Sequence, residues 1–183
     1  MIDEHDKRTI RAAARVARRG FVAMHGATVP CPAEFRALLS HGLTVASYMP
    51  IGSEADPAQL ARAAVEAGCV IALPHVIDRA TPIRFLAWDT EAALAAGPFG
   101  LSQPHQHAAE LAPDIILTPL LAFTRSLDRL GQGAGHYDRA FARFPDAWRI
   151  GVALSAQEVK ALPVDPWDMP LHAIATEKEW ITS

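Results

Sequence analysis

Two uninterrupted apolar runs set the tightest limit on what this chain can fold into. Residues 69–73 (CVIAL) and 114–118 (DIILT) place consecutive large apolar residues where a half-exposed strand would alternate them with polar ones. Such runs suit strands buried on both faces, and those occur in sheets covered by helices above and below. The segments between them are helical in pattern. Residues 6–19 form a basic, alanine-rich stretch expected to be a helix that ends before Gly20. A second helix follows the β-prone run at 44–48 (TVASY): Asp56 suits its N-cap, Pro57 its first position and Gly68 its stop. Further strands are predicted at 83–88 (IRFLAW) and 149–154 (RIGVAL), and helices at 91–97, 136–144 and 155–161. The alternation predicts an α/β fold of three layers, a mostly parallel sheet with helices on both faces, in one domain spanning residues 1–183. Ligands of such sheets bind beyond the carboxyl ends of the strands.

One loop stands out on that expected edge. Residues 129–139 read RLGQGAGHYDR, with Gly131, Gly133 and Gly135 on every second position directly before a predicted helix. The spacing is neither GxGxxG nor GxxxxGK[ST], so neither standard nucleotide motif accounts for it. Its physics still suits phosphate. Glycine lets backbone amides come close to an anion, and a helix N-terminus adds unpaired N–H groups and a favourable dipole. Arg129 supplies a charge-assisted partner. A flexible turn into a helix would use the same glycines, and spacing alone does not separate the two.

Composition removes several function classes. There are 17 basic and 20 acidic residues among 183, for a net charge of -3, so nothing overall favours nucleic acid. Cys31 and Cys69 are the only cysteines and stand far apart, which suggests neither a disulfide framework nor a zinc site. No stretch approaches the roughly 20 apolar residues that cross a bilayer. The first residues include Asp3, Glu4 and Asp6, unlike a secretory or transit segment. The expectation is a cytoplasmic monomer that acts on small molecules.

Pro119 to Phe123 (PLLAF), followed after a short gap by RLGQGAGHYDR, resembles the signature of the 5-formyltetrahydrofolate cyclo-ligases, the methenyltetrahydrofolate synthetases. Residues 7–11 (KRTIR) are similar to that family's N-terminal K-x-x-[LI]-R, and 48–56 (YMPIGSEAD) to its Y-x-P-x-x-x-E-x-D. Residues 85–88, 99–104 and 163–176 follow in family order, so the resemblance covers nearly the whole chain. It implies conversion of 5-formyltetrahydrofolate, a reduced folate, to 5,10-methenyltetrahydrofolate with ATP as co-substrate and Mg²⁺ as cofactor. By position it implies ATP contacts from Lys7, Arg8, Arg11, Arg129, Leu130, Gly131, Gln132, Gly133, Ala134, Gly135, His136 and Tyr137. Ile51, Glu54, Asp56 and residues 132–136 would face the folate. Asp138 and Asp168 would hold the metal, and Arg129, Tyr137 and Asp138 are the catalytic candidates. His136, Ala134 and His172 depart from the family's usual residues at their positions.

The chemistry suits the residue types. A formamide oxygen leaves poorly, and ATP would activate it by phosphorylation, a transfer served mainly by positioning and charge neutralisation. There is no GxSxG and no evident Cys–His pair for a protein nucleophile. Each residue also has a plainer role. Residues 1–19 hold six basic and three acidic residues, and Lys7, Arg11, Arg15 and Arg18 share one helical face that could simply be solvated. Asp138 could complement a helix dipole and Asp56 could only cap, whereas Glu54 has no such structural role. His105 and His107 read as surface residues, and Trp88 and Phe123 as packing. Two other functions fit the same residues: a nucleotide- or folate-binding module without turnover, and a kinase or ligase for another amide-bearing small molecule.

Overall fold

The chain's architecture, taken from a computed structural model that describes residues 4–183, is built on the two apolar runs. The first helix is α1, Glu4–His25, followed by α2 at Ala33–Leu38, β1 at Thr44–Ala46, α3 at Ala58–Glu66 and β2 at Val70–His75. Next come β3 at Arg84–Ala87, β4 at Ala95–Ala96, a 3₁₀ turn at Pro98–Gly100 and β5 at Ser102–Gln103. The second half holds β6 at Ile115–Pro119, β7 at Ala122–Phe123, β8 at Arg129–Leu130 and α4 at His136–Arg143. It closes with β9 at Trp148–Val152, a 3₁₀ turn at Ser155–Gln157, β10 at Ala173–Ala175 and β11 at Trp180–Ile181.

Seven strands form one sheet in the order β11-β10-β9-β6-β1-β2-β3. The five inner strands are parallel, and only the edge pairs β10–β11 and β2–β3 are antiparallel. Side-chain parity explains the apolar runs. Val45, Ile115, Leu117, Ile150 and Val152 pack with Phe35 of α2 and with Leu60 and Ala64 of α3. Their neighbours Ala46, Ile116 and Ile174 pack on the other face with Ala140 and Phe141 of α4. A strand clothed on both sides has no polar face to show in its sequence. No helix among the described residues is long and apolar enough to cross a membrane.

Three local expectations need correction. The first helix does not end at Gly20 but runs on to His25, because Phe21 and Val22 pack against the core and outweigh a glycine penalty of roughly 0.5–1 kcal/mol. It stops at Gly26, whose φ of 81° no longer continues the helix. Residues 91–97 are not a helix. Ala95–Ala96 instead pairs antiparallel with Ser102–Gln103, since seven residues bounded by Pro98 cannot nucleate a helix unaided. The run 155–161 is helical only over Ser155–Gln157; the Val159 amide then donates to the Phe123 carbonyl at 2.8 Å and draws the chain alongside β7. The strand expected at 83–88 is present as β3, antiparallel at the edge of a sheet that is otherwise mostly parallel.

Candidate active site

The connections leaving β1, β2 and β6 enclose a cleft of about 550 Å³. Lys7 and Arg11 reach it from α1, Ile51 and Glu54 from the β1 connection, and Arg129 to Asp138 from β8, the glycine loop and α4. Asp168 joins from the β9–β10 connection. Leu130, Gly131, Gln132, Gly133, Ala134, Gly135, His136 and Tyr137 all line it, so the predicted residues converge with two exceptions. Arg8 lies on an exposed part of α1 outside the cleft wall. Asp56 is also outside; its Oδ1 accepts the Ala58 amide at 2.9 Å, but the N-cap of α3 is Pro57 and not the expected Asp56, because the helix begins one residue later, at Ala58.

The glycine loop is presented by the antiparallel β7–β8 pair. Gly133 has φ 99° and Gly135 φ 67°, a region that L side chains rarely adopt. A Cβ at 133 would also sit 3.3 Å from the Arg11 guanidinium carbon. Arg11 Nε donates to the Gly131 carbonyl at 3.1 Å and ties the loop to α1. Gly135 is the N-cap of α4 and brings no side-chain cap, so the amides of the first turn lack that partner. Arg139 Nη1 donates to the Ala134 carbonyl at 3.0 Å and holds the loop from the α4 side.

Charge on this side is paired. The Arg129 side chain is 7% exposed, is ion-paired to Asp138, and its guanidinium lies 4.8 Å over the Phe141 ring. Its Nε is buried with no hydrogen-bond partner, which leaves one donor of the guanidinium unsatisfied. Lys7 Nζ, also buried, lies 2.6 Å from Asp165 and 3.0 Å from Asp168. Burial pulls the Lys7 pKa down, but the hydrogen bonds and charges of the two aspartates outweigh it and raise the value.

The β1 connection differs. Glu54 is nearly buried, and its Oε2 accepts the Ile51 amide at 3.0 Å. Burial raises its pKa, partly offset by that amide, by Arg18 and by Gln132. Arg18 is 5 % exposed and donates to Ser53 Oγ at 3.2 Å and to the Leu120 carbonyl at 3.3 Å. Tyr48 and Tyr137 nearby are pushed to high pKa by burial first and Glu54 second, so both remain phenols. At the loop's far end His136 Nδ1 accepts from Arg139 Nη2 at 3.1 Å, which leaves its proton on Nε2. Burial, then Arg139, lower its pKa and favour this neutral form.

Arg18 and Asp165 are site residues that the sequence reading did not select. Arg18 lay in view, on the same helical face as Lys7 and Arg11; nothing in sequence announces that Asp165 meets Lys7. For a metal, no group of three or more ligating side chains converges among the described residues. Asp138 and Asp168 nevertheless face the cleft, each with 24 % of its side chain exposed. Mg²⁺ commonly takes one or two carboxylates and fills its shell with phosphate and water oxygens, so these residues fit it.

The model of the 5-formyltetrahydrofolate cyclo-ligase family matches residues 3–177. The 5-formyltetrahydrofolate cyclo-ligase of Escherichia coli K12 is 32% identical over 146 residues, covering 75% of this chain and 80% of that protein. The enzyme of the same name from Mycolicibacterium smegmatis is 34% identical over 150 residues, covering 78% and 77%. Among solved structures, the Aquifex aeolicus 5,10-methenyltetrahydrofolate synthetase superimposes with a TM-score of 0.64 at 27% identity, covering 99% of this chain and 84% of that one. The chain belongs to that cyclo-ligase family.

Proposed function

We propose that this member of the 5-formyltetrahydrofolate cyclo-ligase family closes 5-formyltetrahydrofolate to 5,10-methenyltetrahydrofolate, with ATP consumed and ADP and phosphate released. The observation that carries the reading is the single cleft into which α1, the glycine loop and the Ile51–Glu54 turn all project. In the proposed reaction the formyl oxygen attacks the terminal phosphorus of ATP and ADP leaves. The neighbouring amine then attacks the activated carbon, loses its proton, and phosphate departs with the oxygen.

The chain's own residues do the positioning. Gly133 and Gly135, at positive φ, allow backbone amides to approach the phosphates. Lys7 and Arg129 stand as buried cations that can turn from their aspartates to phosphate oxygens. Glu54, desolvated and anchored by the Ile51 amide, offers an acceptor to the donor-rich edge of a pterin. Bound between Asp138 and Asp168, Mg²⁺ would neutralise charge on the transferring phosphate.

The test is to incubate the protein with 5-formyltetrahydrofolate and follow the near-ultraviolet chromophore of the product. Product should form only when ATP and a divalent metal are both present. Formation that persists in excess chelator would remove the metal from the proposal. No product under any condition, with ATP and folate still bound, would favour a binding module without turnover.

A further inference from the structure

The connection leaving β2 carries a cation to which the reaction proposed above assigns no role. Arg79 lines the cleft, and its guanidinium lies 5.7 Å over the ring of Phe99. It makes no hydrogen bond or ion pair with any described residue. Its backbone is fixed, because Arg139 Nη2 donates to the Arg79 carbonyl at 2.9 Å while Nη1 of the same side chain holds the glycine loop. The adjacent Asp78 does not neutralise it, since Asp78 Oδ1 accepts the Ala80 and Thr81 amides at 2.8 and 2.6 Å.

Phe99 is the second observation. Its φ of 58° is left-handed, an arrangement that costs a bulky residue roughly 1–2 kcal/mol. The residue is 58% exposed, so core packing does not explain why a phenylalanine stands there. The ring's contact is Arg79, which it flanks at the rim of the cleft. The same cleft is also lined by the apolar Val76, Ile83 and Leu101. The phosphate-side residues Lys7 and Asp168 belong elsewhere, to α1 and the connection that leaves β9, a strand separated from β2 by β6 and β1. An acceptor, apolar side chains and an open cation lining one cleft fit a ligand with a hydrogen-bonding head, an aromatic middle and an anionic end.

We infer that Arg79, braced by Phe99, is the subsite for a carboxylate of the substrate's glutamate tail, an assignment that rests on the folate reading above. The guanidinium takes the carboxylate at the cleft mouth, and tails of greater length leave from there into solvent.

Calorimetry without ATP tests this with two ligands at one fixed ionic strength, because an exposed pair is screened by salt. One is 5-formyltetrahydrofolate; the other is its neutral counterpart, in which a methylamide replaces the glutamate. Wild-type protein should bind the methylamide about tenfold more weakly, the low end of what a charge-assisted hydrogen bond contributes. Arg79→Ala should lower folate affinity by about the same factor and leave the methylamide and ATP affinities unchanged. Phe99→Gly, which removes the ring and the strained backbone together, should weaken folate alone by about threefold, as loss of a cation–π contact would. Equal wild-type affinity for both ligands overturns the subsite and leaves the folate reading standing, as does an Arg79→Ala loss shared by the methylamide or by ATP. Binding of neither ligand by the wild type overturns the folate reading and the subsite with it.

Discussion

Two cations of the cleft with nearly buried side chains face carboxylates: Lys7 meets Asp165 and Asp168, and Arg129 meets Asp138. Further along α1 and on the β1 connection, Arg18 and Glu54 are about as buried, yet neither makes an ion pair with any described residue. They are held by neutral partners, a serine hydroxyl, a carbonyl and an amide. On the proposed function the difference separates two tasks. A cation already paired to a carboxylate can accept a phosphate at modest electrostatic cost, because one anion replaces another. A carboxylate held by neutral groups keeps its shape and its appetite for uncharged donors such as those of a pterin. Paired charge suits the exchange of anions, and unpaired charge suits recognition of a neutral ring.

The strongest way to break this contrast is at Asp138. With Asp138→Asn, turnover should fall by orders of magnitude and what remains should need more magnesium. The fold should suffer too, by about 1–3 kcal/mol, because Arg129 has 7% of its side chain exposed and would lose its charged partner. A purely dipolar role in the first turn of α4 would give only about 0.3–1 kcal/mol and ordinary turnover. Melting temperature and a magnesium titration on one preparation decide between them, and normal turnover would remove the metal role.

Gly133→Val attacks the same side through the backbone. The residue would have to hold φ 99°, with its Cβ 3.3 Å from the Arg11 guanidinium carbon. ATP binding should drop below detection while the far-ultraviolet circular dichroism stays near wild type, since the loop is at the surface. Unchanged ATP affinity by calorimetry would mean that the loop is not a phosphate cradle.

Next in size is the gradient along α1. Lys7→Ala should weaken ATP by roughly ten- to a hundredfold, the range for charge-assisted bonds, and it also leaves Asp165 and Asp168 facing each other. Arg11→Ala should fall near the lower end of that range, because Arg11 also braces Gly131. Arg15 is exposed and meets Gln132 Oε1 at 2.8 Å, so Arg15→Ala should change ATP affinity by less than about threefold. Equal losses at all three would replace the paired site with a diffuse basic face.

What the sequence could show follows from how local each interaction is. The apolar runs at 69–73 and 114–118 announced strands covered on both faces because that burial is written into consecutive residues. Asp56, Pro57 and Gly68 marked α3 to within a residue, with Pro57 rather than Asp56 at its N-cap, since caps and stops act within a turn. Failures came where distant partners decide. Gly20 looked like an end, but Phe21 and Val22 find the core. The alanines of 91–97 looked helical, but a second short strand claims two of them. In the site, the glycine loop was legible as a local motif. Arg18, Asp165, Arg79 and Phe99 were not, since each acts through a residue far away in the chain or through the shape of the cleft.

The smallest expected effect tests the unpaired side. Burial raises the Glu54 pKa above its ordinary 4.5, and the Ile51 amide, Arg18 and Gln132 only partly offset it. The folded protein therefore holds this proton more tightly than the unfolded chain does. Glu54 contributes stability below pH 4.5 that is lost as pH rises through its folded value, so at neutral pH its ionised form opposes folding. A glutamine has the same shape and no charge to desolvate. Glu54→Gln should melt close to the wild type at pH 4 and somewhat above it at pH 7, with the gap opening just above pH 4.5. Folate affinity at pH 7 should fall, because the acceptor pair becomes an amide with one acceptor and one donor. If Glu54→Gln instead melted lower at pH 7 than at pH 4 relative to wild type, attraction between Arg18 and Glu54 would outweigh burial. The two sides of the cleft would then handle charge in the same way.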